Sequence, residues 1–180
     1  MRHLKYIYII SLSFGFTTVY SQIDTNGKFL HDSIFENKLR EGELSKLLSE
    51  VKNRPDLQLE RLSAYFFHQR INQYRLENKL TTLYWDDRMW LAARNHNLFM
   101  TIAPKIGHIE QIGAKFFTGI KPSNRILYVT YNGFSVKLYG ENCLLNFSAD
   151  SLVSLEENAK NIAEKSFEQW KNSPFITKIC

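Results

Sequence analysis

The chain has 180 residues, two cysteines, 44% apolar and 23% charged residues, and a formal charge of +5. That size and balance suit one globular domain and exclude a disordered chain or a scaffold held by many disulfides. The basic residues lie among acids, with no Lys/Arg cluster carrying interleaved aromatics, so a nucleic-acid footprint is excluded as well.

The first segment, MRHLKYIYIISLSFGFTTVYSQ, reads as an export signal. Arg2 and Lys5 form a positive start, Tyr6 to Phe16 an apolar stretch, and Val19 and Ser21 small residues for cleavage before Gln22. The apolar stretch is too short and too polar to span a bilayer. Residues 1–21 are therefore expected to be a signal peptide, with no stable transmembrane anchor and a secreted or periplasmic location. Residues 22–55 follow as a lead-in and an amphipathic helix, and 56–180 as one domain.

The amphipathic pattern runs over residues 34–51 and is stopped by Asn53-Arg54-Pro55-Asp56. Asp56 suits the N-cap of the next helix, expected to reach about Asn78 with Leu59, Leu62, Phe66, Ile71 and Tyr74 near one face. A further helix starts after Trp85-Asp86-Asp87 and carries Met89, Ala92, Ala93, His96, Met100 and Ala103 at spacings of three and four. His96 lies within that apolar stripe and reads as a buried histidine hydrogen-bonded to a neighbour. After Pro104, an irregular segment carries His108 and Glu110. ILYVTY (126–131) and FSVKLY (134–139) flank Asn132-Gly133, a pair suited to a type I′ turn, so a two-stranded hairpin is expected there. Its second strand runs into Gly140-Glu141-Asn142-Cys143. Leu155, Ala159, Ile162, Ala163, Phe167 and Trp170 then trace a long helix ended by Ser173-Pro174. In an exported chain Cys143 and Cys180 are free to form a disulfide, although a cysteine at the extreme C-terminus equally suits a free or intermolecular thiol.

The ordered string INQYR (71–75), LYWDDRM (83–89), Ala93 and His96, GH (107–108), GEN (140–142) and FEQWKNSP (167–174) resembles the CAP superfamily of cysteine-rich secretory, antigen 5 and pathogenesis-related proteins, in its bacterial form. The resemblance covers about residues 60–175. It implies an α+β fold, an α-β-α sandwich rich in helix, with a cleft holding histidines and acids. The family's further strands lie beyond the last helix, so the resemblance implies a C-terminally shortened member: either the hairpin supplies an abbreviated small antiparallel sheet, or the chain is a truncated member of the family. By match of motif, the cleft residues are His108 and Glu141. Such a pair can bind a divalent metal, share a proton or polarise a water. Ile176 stands where bacterial members carry a second histidine, so a zinc site would need a recruit such as Glu110.

Two uses of this cleft follow. The first is a non-catalytic module that binds a small ligand, a lipid, a peptide or an envelope component, through His108, Glu141 and Glu110. The second is a metal-assisted hydrolase in which His108 and Glu141 are the catalytic pair and hold a metal such as zinc. No cofactor is required by the first. Neither ligand nor oligomeric state is legible in the residues.

Overall fold

The computed structural model describes residues 5–12, 42–103, 107–130, 140–147, 150 and 152–172. In chain order the elements are strand β1 (Lys5–Leu12), helix α1 (residues 42–51), α2 (Pro55–Glu77), α3 (Asp87–Ile102), α4 (Pro122–Thr130), strand β2 (Gly140–Phe147) and α5 (Leu155–Lys171). No helix among the described residues is long and apolar enough to cross a membrane.

The helix ends follow local chemistry. Pro55 opens α2 at a position where a missing N–H costs nothing. Arg54, not Asp56, takes the cap position, and Asp56 sits in the first turn paired with the Arg54 guanidinium. At the other end Lys79 adopts φ 59°, while its N–H and that of Leu80 bond back to Leu76 O (3.0 Å) and Arg75 O (2.8 Å). This is a Schellman closure, made here with lysine where glycine is usual. Asp86 caps α3 by accepting from Arg88 N at 2.8 Å. Ser154 accepts from Glu157 N at 3.1 Å to start α5, and Glu156 pairs with Lys160 one turn on at 2.8 Å.

Helix α2 lies at the centre. Its Phe67 and Ile71 pack with Ala163, Phe167 and Trp170 of α5, and Leu59 packs with Ala159 and Ile162. On another side Leu57 joins Leu47 of α1, Trp90, Leu91 and Ala92 of α3, and Val129 of α4. Burial of each large side chain in these clusters stabilises by roughly 1.5–3 kcal/mol. Asp87 fastens α3 to α2 by accepting from Trp85 Nε1 (3.0 Å) and Arg61 (2.9 Å). His68 faces Leu83 O at 3.1 Å and meets Trp85 edge to face, so it ties the 80–85 connection to α2.

The strand expected over 126–131 is a helix through Thr130. Alternation of apolar residues suggested a strand, but Pro122 at a helix start and the spacing of Ile126, Val129 and Thr130, all buried, fit one helical face. β-Branched residues pack well in either state when tertiary contacts are available. Arg125 and Thr130 are consistent with the helix as well, Thr130 Oγ1 donating to Ile126 O at 2.7 Å. The rest of the expected hairpin, including Asn132-Gly133 and 134–139, lies outside the described residues, as do Ile176 and Cys180. The described sheet has two antiparallel strands, β1 and β2, with Lys5 opposite Phe147 and Leu12 opposite Gly140. β1 thus falls inside the segment read as a leader.

Candidate functional site

Four segments converge beside the C-terminal half of α3. The helix supplies His96, the connection after it supplies Gly107, His108 and Glu110, α4 supplies Arg125, and β2 supplies Glu141 and Cys143. Strand alternation puts Glu141 and Cys143, two residues apart, on the same face of β2. Arg125 lies in the first turn of α4, beside the buried Ile126 and Val129.

His96 is fully buried, with Nδ1 2.7 Å from Glu110 Oε1 and Nε2 2.8 Å from Gly107 O. Both ring nitrogens face acceptors, an arrangement fully satisfied when each donates a proton. The other oxygen of Glu110 accepts from Thr118 N (2.7 Å) and Gly119 N (3.2 Å). Burial pushes the Glu110 carboxyl up, but the bonds from His96 and Thr118 and the Arg125 charge outweigh it and hold the group below its ordinary value.

Arg125 is 1% exposed and stands between the two acids. Its Nη2 reaches Glu141 Oε1 at 2.6 Å and also contacts Oε2. Nη2 further approaches His108 O at 3.2 Å, Nη1 donates to Gly119 O at 3.1 Å, and Nε lies 3.7 Å from Glu110 Oε1. Two buried carboxylates are thereby matched by a guanidinium and an imidazole. Unpaired, each charge would cost several kcal/mol to bury.

The two motif residues do meet: His108 Nδ1 is 2.9 Å from Glu141 Oε1. The side chain of Glu141 is buried, whereas that of His108 is half exposed. A carboxylate accepts only, so the Nδ1 that faces it carries a proton. Glu110 is brought to the same cluster but is turned inward, onto His96 and the 118–119 backbone. Cys143 has Sγ 3.4 Å from His108 Nδ1, 3.6 Å from Gly107 O and 4.0 Å from Glu141 Oε1. That contact does not make a nucleophilic couple, because the histidine nitrogen beside the sulfur already holds a proton. Burial, and then the Glu141 charge, push the thiol up to about 12.

Alkylation of Cys143 by iodoacetamide near neutral pH should therefore run on the order of a hundredfold slower than that of an ordinary small thiol. Glu141→Gln should quicken it. Fast alkylation of the folded protein would contradict the assignment. A thiol count in denaturant without reductant separates a Cys143–Cys180 disulfide from free thiols; Cys143 itself is a free thiol in the structure.

His96, Glu141 and Cys143 offer ligand atoms that lie within 4.8 Å of one another. The donors fit a metal poorly. His96 Nε2 is committed to Gly107 O, the thiol is held protonated, and both Glu141 oxygens are taken by Arg125. A cation ligated by both His108 and Glu141 would have to part them and sit beside a buried guanidinium.

Sequence reasoning missed Arg125. A buried arginine beside an apolar helical stripe was the available signal, but its partner Glu141 lies 16 residues away and is invisible to local periodicity. His96 was found as a buried, bonded histidine, though not as the anchor of the following loop.

A family model, described as the cysteine-rich secretory protein family, CAP, matches residues 68–179. No curated protein and no solved structure shows a significant match.

Proposed function

The chain belongs to the cysteine-rich secretory protein (CAP) family, and from that premise we propose that it is an exported, non-catalytic binding module for a lipid, peptide or envelope component. The observation that carries this reading is the state of Glu141. Both its oxygens accept from Arg125 and one of them faces His108 as well, so the carboxylate is engaged in a charge pair that it would have to leave to act as acid or base. The protonated Cys143 removes the nearest nucleophile. Export rests on the leader pattern of residues 1–21, and an α-β-α sandwich on the family.

One observation favours a second reading, hydrolysis. Glu141 holds Nδ1 of a half-exposed His108 ring, which is the geometry of a histidine general base or a single metal ligand held by a carboxylate. Thermal unfolding in chelator and in excess zinc, for wild type and His108→Ala, separates the two. A metal at about a hundred times its dissociation constant adds about 2.7 kcal/mol of stability. The binding-module reading expects zinc to leave the transition unmoved in both proteins. A zinc-dependent rise abolished by His108→Ala would put the metal-assisted hydrolase first.

A further inference from the structure

Residues 107–121 form a closed loop between α3 and α4, and its neck is fastened more firmly than its tip requires. Glu110 N donates to Ile120 O at 3.0 Å, joining the two limbs. Inside the neck, the Glu110 carboxylate binds Thr118 N and Gly119 N, His96 binds Gly107 O, and Arg125 binds His108 O and Gly119 O. Gly119 packs so closely on α4 that an added Cβ would lie 2.6 Å from Asn124 Cβ. Two successive turns, Gln111 to Ala114 and Ala114 to Phe117, shape the tip, and Ala114 packs on Phe99 and Met100 of α3.

This anchored loop exposes four of its large apolar residues. Ile109 is 61% exposed, Ile112 71%, Phe116 38% and Ile120 37%. Phe116 is held at φ 65°, a left-handed conformation that costs a bulky residue roughly 1–2 kcal/mol. Exposed apolar groups on strained backbone gain nothing for the isolated fold. The exposed charges of the same loop have one sign. Lys115, with Nζ 4.9 Å from the Phe116 ring centroid, and Lys121 are exposed, while its sole acid, Glu110, is buried.

We propose that this loop docks the molecule onto the surface of an anionic lipid bilayer, Ile109, Ile112, Phe116 and Ile120 entering the headgroup region while Lys115 and Lys121 meet the lipid charge. The pairing of apolar burial with basic residues is the physical signature of interfacial binding. The proposal rests on the binding-module reading and gives its lipid class. It also explains what the buried cluster is for, since His96, Glu110 and Arg125 hold the loop in its presenting conformation.

The test is cosedimentation of the purified chain with vesicles of phosphatidylglycerol and phosphatidylcholine in equal parts, and with vesicles of phosphatidylcholine alone. Binding should favour the anionic vesicles and weaken in raised salt. Ile112→Ser with Phe116→Ser should lower partitioning about tenfold or more. Lys115→Glu with Lys121→Glu should lower it by at least about tenfold. Both variants should unfold at the wild-type temperature, since the replaced side chains are exposed. Absence of vesicle binding, equal binding to both vesicles, or binding indifferent to the apolar pair would overturn the proposal and point to a soluble partner for this face. Displacement by soluble glycerol phosphate would overturn it in favour of a free anion. These outcomes are independent of the zinc experiment, so docking and the non-catalytic reading can fail separately.

Discussion

Replacing Arg125 with methionine should destabilise the protein by about 3–5 kcal/mol, the usual cost of removing one partner from a buried charge pair. Methionine keeps most of the apolar stem volume, so the loss reports chiefly the guanidinium. What remains is Glu141 without its closest partner, Glu110 without the charge 3.7 Å away, and the carbonyls of His108 and Gly119 without donors. Urea unfolding monitored by tryptophan fluorescence gives the number. Lysine in the same place should recover only part of it, since one ammonium cannot reproduce contacts made from two guanidinium nitrogens. Adding Glu141→Gln to Arg125→Met should recover a further part by removing the stranded charge. A loss below about 1 kcal/mol for Arg125→Met would mean that Glu141 is solvated or neutral, and the closed view of the cleft would fall.

Those same four acceptors explain which parts of the molecule could be read from residues alone. Helices α2, α3 and α5 are long, carry apolar residues at spacings of three and four, and end on local signals: Pro55, Asp86 and Ser154 with Glu157. Their information is contained within one or two turns. The 126–131 stretch is different, because Ile, Tyr, Val and Thr suit a strand as well as a helix; contacts of α4 to α3 decide for the helix through Thr130, and Arg125 just before the stretch reaches two distant carboxylates. His108 and Glu141 were legible through the GH and GEN motifs, and they do lie 2.9 Å apart. Their chemistry was not legible. Whether an imidazole and a carboxylate form a metal site or a closed ion-paired cluster depends on the third group between them, and Arg125 carried no motif. Glu110 was nominated as a ligand, yet its carboxylate points into the fold and serves the backbone of 118–119.

The His96–Glu110 pair should prove nearly as costly to break as the arginine. His96→Ala leaves Glu110 Oε1 and Gly107 O without their closest donor, next to a fully buried carboxylate, a loss of about 3 kcal/mol or more. A double-mutant cycle of His96→Ala with Glu110→Gln should give a coupling of about 1.5–3 kcal/mol, the range of charge-assisted bonds, whereas an apolar packing role for the ring would give a coupling near zero. The pH dependence supplies a second reading of the same bond. The Glu110 carboxyl is held below its ordinary value of 4.5, so its stabilising contribution is complete above that pH and is lost as pH falls through the folded value. Wild type should therefore lose stability on acidification below about pH 4.5 more steeply than Glu110→Gln, which has no carboxyl to protonate there. Because this carboxylate also ties the two limbs of the 107–121 loop, the acid-weakened protein should lose vesicle binding before it unfolds globally. Retention of full vesicle binding by folded Glu110→Gln would separate the anchor from the surface it is argued to present.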